Sequence, residues 1–280
     1  MQILVIDRDP MFSSLLAKKM RLEGHDVIES AVRHDGIEQI GTTKVDAVYF
    51  DPSPLTDPKS ILLQIRRMVH TYPYLVLMGH DLTAMDGIKA GCNDALSKPL
   101  DPEALHVSLG NAERMVALVQ RLGDTGYDFP SAGGVIAKSA FNQLFISAMD
   151  RVSRYEETSR VLFIGVANYE DLQFDEGKYA ADLAVSKLAR NLTRLRRQSD
   201  ILGQTGHNEY ALLLQRPQSG NEALDAARRF AVAIGQWHDV GEGSVADVVI
   251  SLSLIDLPGG ALEFHHEGRI AGRALKAAGV

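Results

Sequence analysis

Short apolar segments alternate with amphipathic helical segments over about the first 122 residues. This alternation restricts the fold more than any other feature of the chain, because it favours a parallel sheet covered by helices on both faces. In such a sheet the functional groups lie at the carboxyl ends of the strands. The predicted strands are residues 3–6, 26–29, 47–50, 74–78 and 95–96, and the predicted helices are 10–23, 35–40, 61–72, 84–90 and 102–122.

A segment rich in Gly, Asp, Pro and Ser, residues 123–133, has no apolar period and is interpreted as a linker. The remainder, residues 134–280, has a different order of elements. It predicts an α+β layer with a central mixed sheet. The predicted helices there are 138–155, 179–197, 221–236 and 267–278, and the predicted strands are 160–166, 201–205, 209–215 and 247–255.

Charge and cysteine content exclude several classes of function. The 280 residues carry a net charge of −7, so a nucleic-acid binder held by bulk charge is not expected. One cysteine, Cys92, permits no internal disulfide and fits a reducing cytosol. The N-terminus does not read as a signal peptide and no segment has the length of a membrane span. We therefore expect a cytoplasmic protein without membrane or nucleic-acid partners.

Three polar residues fall at predicted carboxyl ends of strands: Asp7, Asp51 and Lys98. Two carboxylates can hold a divalent cation that draws in a phosphoryl group, and a lysine can neutralise the transferred charge. Lys98 precedes Pro99, which suggests a cis peptide bond. In order and spacing, residues 1–122 resemble a response-regulator receiver domain, with a flavodoxin-like doubly wound sheet. The resemblance implies that Asp51 is the phosphoacceptor and that a histidine kinase is a partner.

The receiver-like site departs from its family at three positions. Arg8 stands where the family has a second acid, and a guanidinium there disfavours Mg²⁺ by charge repulsion. Gly79 and Ala95 stand at the family's switch hydroxyl and switch aromatic positions. Asp9 could partly replace the missing acid, although its side chain is expected to point elsewhere. The alternative to phosphorylation is a receiver kept as a docking or dimerisation module.

A tight hairpin is predicted at Gly206-His207-Asn208-Glu209-Tyr210, between two apolar strands. With its flanking strands, and with residues 134–141 upstream, it resembles the signature of a GGDEF domain, the domain of diguanylate cyclases. The resemblance covers about residues 130–280. It implies a fold of the nucleotide-cyclase kind.

The GGDEF resemblance implies an active site that has lost its chemistry. Gly165 stands where the family has the metal-binding acid of the first strand, and Asn208 replaces the acid of the hairpin. Glycine offers no ligand, and an amide is a weaker ligand than a carboxylate for Mg²⁺. His207 replaces a glycine and would fill space that the nucleotide uses. Glu209 alone cannot rebuild the metal site, so no cofactor is expected to be required.

Two further positions match the family's guanine-recognising residues. Asp182 stands 24 residues before Gly206, and Gln173 stands where the family has an asparagine. Residual GTP binding is one interpretation of this pair. A solvated helix carboxylate is the other, and we favour it.

Arg197 and Asp200 form an Arg-x-x-Asp motif six residues before the hairpin. This offset resembles the inhibitory, product-binding site of GGDEF domains, and Arg228 stands where the family places a second arginine of that site. Arginine can fork onto a phosphate or onto guanine O6 and N7, and aspartate can accept from guanine N–H groups. The alternative is a pair of exposed ion-pairing charges, which contribute little.

The sequence therefore predicts a catalytically inactive GGDEF protein that binds cyclic di-GMP at Arg197, Asp200 and Arg228. A ligand-free scaffold, in which both domains serve protein interactions and a homodimer can form through either, is the second hypothesis. A weak diguanylate cyclase that uses Glu209 and a displaced metal is the third. The sequence does not identify the protein partner.

Overall fold

A computed structural model describes residues 1–31, 33–68, 72–129, 133–155, 157–215 and 221–273. The chain forms two compact units. The first comprises residues 1–121 with the short segments 149–157 and 257–260, and the second comprises residues 122–148, 158–256 and 261–280. Each unit is built around its own sheet of five strands.

In the described residues of the first unit, strands and helices alternate as predicted. The strand order is β2-β1-β3-β4-β5, and every ladder is parallel. This is the flavodoxin-like order of doubly wound folds. The elements are β1 Gln2–Ile6, α1 Pro10–Leu22, β2 Asp26–Ser30, α2 Arg33–Thr42, β3 Ala47–Phe50, α3 Lys59–Met68, β4 Tyr74–His80, α4 Ala84–Ala90, β5 Asp94–Lys98 and α5 Pro102–Gly123.

Local chemistry fixes the ends of the first-unit helices. The Asp9 side chain accepts the amides of Met11 and Phe12 at the start of α1, where Pro10 needs no amide partner. A capping box of Thr83 and Asp86 begins α4. Between these helices the central strands β1 and β3 are buried along almost their whole length, which explains their continuous apolar runs.

The second unit has a different architecture. Its strand order is β10-β9-β6-β8-β7, with helices packed on the sheet. The strands β6 and β8, β7 and β8, and β9 and β10 pair antiparallel. Its elements, together with the helix α6 that spans both units, are α6 Lys138–Tyr155, β6 Ser159–Val166, α7 Tyr169–Glu176, α8 Lys178–Leu195, β7 Ile201–Gln204, β8 Glu209–Gln215, α9 Glu222–Ile234, β9 Val248–Leu257 and β10 Leu262–Ile270.

Three predictions for the second half are wrong. The sheet ladders just described are antiparallel, whereas a mixed sheet was expected. Residues 262–270 form the strand β10, where a helix was predicted from residue 267; the rest of that predicted helix from residue 274 lies outside the described residues. The side chains of β10 alternate in exposure from Glu263 to Ile270, but His266 and Gly268 interrupt the apolar residues on its less exposed face, and the strand was missed. The short helix α7 was also missed.

Close packing at one glycine ties the start of the second unit to its sheet. A Cβ atom on Gly203 in β7 would stand 2.5 Å from the Phe141 ring of α6. Ile136 bridges to the same glycine in parallel. The edge strand β7 lies between the Arg-x-x-Asp motif, which ends at Asp200, and the turn to β8.

Candidate functional sites

The carboxyl ends of β1, β3 and β5 bring together Asp7, Asp51 and Lys98. The Lys98 Nζ atom lies 2.6 Å from Asp7 Oδ2 and 2.5 Å from Asp51 Oδ2. The side chains of Lys98, Asp7 and Asp51 are only 10%, 2% and 8% exposed. The residues therefore form a buried cluster in which one ammonium bridges two carboxylates.

Each of the four carboxylate oxygens in this cluster already accepts a hydrogen bond. Asp7 Oδ1 accepts the Asp9 amide at 2.9 Å, and Asp51 Oδ1 accepts the Ser53 amide at 2.8 Å. Burial alone would raise the pKa of Asp51, but hydrogen bonds from Lys98 and Ser53 outweigh it and hold that pKa below its ordinary value. The Lys98 ammonium thus already neutralises part of the negative charge that the two carboxylates would offer a divalent cation.

The surroundings of the cluster supply no substitute acid. The Asp9 carboxylate is engaged with the first turn of α1, as its position in the sequence predicted. Arg8 lines the cleft of about 410 Å³ beside the cluster, together with Phe12 and His80. The Lys98 ammonium lies 4.3 Å from the centre of the Phe12 ring, a favourable cation–π distance.

Gly79 and Ala95 stand at the two positions where the receiver family has a switch hydroxyl and a switch aromatic. Neither residue has such a side chain. Gly79 lies near the end of β4, and a Cβ atom there would stand 3.2 Å from the Leu82 side chain. Ala95 is a small side chain in β5, paired in register with Leu77 of β4. The Lys98–Pro99 peptide bond is cis, as the sequence suggested.

In the second unit, β7 and β8 are joined by a tight turn whose polar groups bond to one another. The amides of Thr205 and Gly206 both donate to the Glu209 carbonyl, at 3.0 and 3.1 Å. The Thr205 hydroxyl donates to Glu209 Oε1 at 2.6 Å. The acid that remains in the hairpin motif is thus bonded within its own hairpin.

Asn208 of the hairpin contacts the neighbouring strand β6 beside Gly165. Asn208 Nδ2 donates to the Val166 carbonyl at 2.8 Å, and the Val166 amide donates back to the Asn208 carbonyl at 2.8 Å. A Cβ atom on Gly165 would stand 2.9 Å from that same Asn208 carbonyl oxygen. An acid at position 165 would therefore require the hairpin to move.

His207 at the hairpin tip packs against residues from the segment interpreted as a linker. Its ring centre lies 4.7 Å from that of Tyr127 and 5.4 Å from that of Phe129. Between these two aromatics, Asp128 accepts the amide and the hydroxyl of Ser139 at 3.2 and 2.5 Å. The segment is therefore held against the second unit at two points.

Asp182, the candidate guanine-recognising acid, already has a partner. The Tyr169 hydroxyl donates to Asp182 Oδ1 at 2.7 Å. Burial and this carboxylate raise the pKa of Tyr169 to about 12. Gln173 is exposed on α7, and Tyr210 is a buried core residue whose pKa burial raises to about 12.

The Arg-x-x-Asp motif forms a tight turn between α8 and β7. The Asp200 amide donates to the Arg197 carbonyl at 3.1 Å, and Asp200 Oδ2 accepts the Arg197 amide at 3.0 Å. Arg196 braces the turn, because its Nη1 donates to the Asp200 carbonyl at 2.8 Å and its Nη2 to the Gly134 carbonyl at 3.5 Å. The backbone of the motif is fixed by contacts that do not use the Arg197 guanidinium.

The Arg197 guanidinium lies at the surface and forms an ion pair with Glu222, in the first turn of α9. The two side chains are 53% and 26% exposed. The hydrogen bond and the charge of Glu222 raise the pKa of Arg197. This contact places α9 beside the turn.

Arg228 lies farther along α9 and is exposed. Its Nη1 atom is 3.5 Å from Asp225 Oδ1, and six residues separate it from Glu222, a rise of about 9 Å along the helix axis. The structure thus joins Arg197 and Asp200 in one turn and sets the helix of Arg228 alongside. Among the contacts of the described residues, none joins Arg228 to Arg197 directly.

Three residues that contact these sites were not predicted from the sequence as site residues: Glu222, Tyr169 as a partner of Asp182, and Arg196 as a brace. Glu222 stands 25 residues after Arg197 and no local spacing links them. The sequence marks Arg196 only as a positive charge beside the motif. Its place directly before the motif was the one available signal.

Neither a metal-binding cluster nor a membrane-spanning helix occurs within the described ranges. In those ranges, no group of three or more His, Cys, Asp or Glu side chains is placed to hold a metal ion. No helix within the described ranges has both the length and the apolar character needed to cross a bilayer.

The strand order of the first unit and the β7–β8 hairpin of the second together define a class of protein. This class combines a flavodoxin-like parallel sheet with an α+β domain that carries an antiparallel sheet. Residues 131–257 match the family model described as diguanylate cyclase, GGDEF domain. The chain therefore carries a GGDEF domain at these residues and a response-regulator receiver fold in its N-terminal part, as predicted.

Curated relatives of the chain are described as transcriptional regulatory proteins. The chain is 28% identical over 163 residues to the transcriptional regulatory protein ZraR of Salmonella typhimurium, a match that covers 56% of this chain and 36% of ZraR. It is 26% identical over 113 residues to the transcriptional regulatory protein GlrR of Escherichia coli, covering 39% of this chain and 26% of GlrR. The chain thus spans well under half the length of these relatives.

Solved structures similar to this chain are response regulators. A two-component response regulator from Clostridium difficile is 22% identical, with a TM-score of 0.36, and the match covers 40% of this chain and 95% of that one. A response regulator receiver domain protein from Clostridium thermocellum is 22% identical, with a TM-score of 0.37, and the match covers 42% of this chain and 97% of that one.

Proposed function

We propose that this protein is a cyclic di-GMP effector, whose GGDEF domain binds the dinucleotide at Arg197, Asp200 and Arg228 and does not synthesise it. One observation carries the proposal. The Arg197–Asp200 turn is held by its backbone and by Arg196, while its guanidinium stays at the surface beside α9.

The chemistry of the turn suits the two halves of the ligand. Each phosphodiester of cyclic di-GMP is an anion that a guanidinium can bind through two parallel N–H donors, and guanine O6 and N7 offer the same fork. Asp200 uses Oδ2 on the Arg197 amide, so Oδ1 can accept from guanine N–H groups. Arg228 adds a second exposed guanidinium on α9.

The hairpin region supports binding without catalysis. Cyclisation of GTP needs acids that hold Mg²⁺ on the phosphates. Position 165 is a glycine, Asn208 bonds to the β6 backbone, and Glu209 bonds to Thr205. A weak cyclase would have to free Glu209 from the hairpin first.

The scaffold hypothesis remains the second candidate, and one contact favours it. Because Glu222 already pairs with Arg197, the motif could be no more than a surface ion pair between a turn and a helix. The two hypotheses differ in one measurable property, the affinity for cyclic di-GMP.

Isothermal titration calorimetry with cyclic di-GMP tests the proposal. We expect the wild type to bind below about 10 μM and Arg197→Ala to lose at least tenfold in affinity, about the contribution of one charge-assisted bidentate contact. Arg190→Ala, which removes an equal charge from an exposed position on α8, is the matched control and should bind as the wild type does. A wild type that binds nothing at tens of micromolar would overturn the proposal in favour of the scaffold.

Incubation with GTP and Mg²⁺ tests the loss of catalysis. We expect chromatography of the reaction to show no cyclic di-GMP. Product formation that disappears in Glu209→Gln would establish the residual cyclase instead.

For the receiver fold we propose a docking role. The support is the Lys98 ammonium, which already occupies one oxygen of each carboxylate, and Arg8, which lines the cleft where the family has a second acid. After incubation with acetyl phosphate and Mg²⁺, the intact mass should be unchanged. A gain of one phosphoryl group in the wild type, absent from Asp51→Asn, would instead identify Asp51 as a phosphoacceptor and favour a kinase partner.

A further inference from the structure

Glu222 forms an ion pair with Arg197, one of the three residues of the proposed ligand site. Its carboxylate contacts a single guanidinium nitrogen of Arg197, the Nη1 atom. A guanidinium has five N–H donors, so the contacts of the described residues leave most of this fork unused. A phosphodiester or a guanine edge can engage two donors at once and thus bind more strongly than this carboxylate does.

We propose that Glu222 is an intramolecular competitor that occupies Arg197 in the free protein and sets the concentration at which cyclic di-GMP binds. This inference rests on the proposed function of the Arg197 site. It assigns to Glu222 a specificity role, because a weakly binding anion would fail to displace the carboxylate whereas a bidentate one would succeed.

The position of Glu222 makes its displacement inexpensive. It lies in the first turn of α9, where the partial positive charge of the helix N-terminus stabilises a carboxylate even without an ion-pair partner. Asn221, the residue before the helix, makes no side-chain cap contact. The Arg197 backbone, in contrast, is held by Asp200 and Arg196 and need not move.

Breaking this pair should therefore strengthen ligand binding. Arg197 and Glu222 are both partly exposed, and an exposed ion pair is worth a small factor in an equilibrium constant. We expect Glu222→Gln, which keeps the shape and removes the charge, to bind cyclic di-GMP roughly threefold to fivefold more tightly than the wild type.

The matched control is Glu242→Gln. Glu242 is another exposed acid of the same unit and forms a comparable ion pair with Lys187 at 3.5 Å. The two variants change the net charge equally, so a general electrostatic effect would tighten binding in both. Circular dichroism and thermal unfolding of each variant check that the fold is kept.

Calorimetry with cyclic di-GMP on the wild type, Glu222→Gln, Glu242→Gln and Arg197→Ala then separates the outcomes. Tighter binding by Glu222→Gln alone supports the competitor. If the wild type binds, Arg197→Ala does not, and Glu222→Gln matches the wild type or Glu242→Gln, the competitor is refuted while the effector function stands. If neither the wild type nor Glu222→Gln binds, the effector function itself fails.

Discussion

The receiver fold and the GGDEF domain each hold a cation against a carboxylate, but at opposite degrees of burial. In the first unit, Lys98 bridges Asp7 and Asp51 with all three side chains at most 10% exposed. In the second, Arg197 pairs with Glu222 while its own side chain is 53% exposed. The difference in burial matters because breaking a buried pair leaves an unpaired charge in a low-dielectric environment. An exposed pair, in contrast, exchanges partners at little cost in free energy.

The largest effect on stability should come from Lys98→Met. The variant leaves the buried carboxylates without their common partner, and we expect the free energy of unfolding to fall by about 3 kcal/mol in urea denaturation. Lys18→Met, at an exposed position of α1, is the control and should leave the free energy unchanged. Equal stabilities of the two variants would contradict the view that the cluster is structural.

The same cluster should make stability depend on acid pH. The lowered pKa of Asp51 means that its stabilising contribution is present above the pKa of an unfolded carboxyl, about 3.9, and is lost as pH falls through the folded value. The raised pKa of Lys98 means that its own contribution is lost only at strongly alkaline pH. The difference in urea midpoint between wild type and Lys98→Met should therefore be constant near neutrality and shrink as pH falls below about 4, the pKa of an unfolded carboxyl. A difference that does not shrink at any acid pH at which the wild type stays folded would show that the charges do not stabilise the fold.

Removal of a hydrogen bond between uncharged groups should lower the free energy of unfolding by an intermediate amount. Asn208→Ala removes the hydrogen bond to the Val166 carbonyl, and we expect a loss of about 1 kcal/mol in the free energy of unfolding. Asn221→Ala removes an asparagine with no side-chain cap contact and is the paired control. If Asn208→Ala is as stable as that control, the hairpin is not held by its own side chains.

The smallest effect on stability should be that of Arg197→Ala. Because the backbone of its turn is fixed by Asp200 and Arg196, the urea midpoint should match that of the wild type, even though cyclic di-GMP binding is lost. Measuring both properties on one preparation sharpens the comparison. A clear drop in midpoint would mean that the Arg197–Glu222 pair serves the fold.

The sequence predicted the receiver fold because its strands are continuous apolar runs with polar residues at their ends. Asp7, Asp51 and Lys98 meet as that pattern requires. It failed for β10, whose less exposed face is interrupted by His266 and Gly268, and for the ladders of the second sheet, whose direction depends on pairing between distant segments.

The sequence could not predict several of the contacts on which the two sites depend. Spacing indicated that Arg197 and Asp200 belong together, because they are neighbours in one turn. It could not indicate Glu222, which reaches Arg197 only after α9 has packed on the sheet, or the Tyr169 hydroxyl, which meets Asp182 across two helices. Which exposed charges pair with each other depends on how the helices pack.

The contacts of residues 127–129 determine where the second unit can be cut. Tyr127 and Phe129 cover the ring of His207, and Asp128 bonds Ser139 at the start of α6. A fragment begun at Gly134 would lose all three side chains, expose the hairpin tip to water and leave the first turn of α6 without its anchor. A fragment that keeps these contacts therefore has to begin before Tyr127, several residues upstream of the boundary that the composition of the chain suggests.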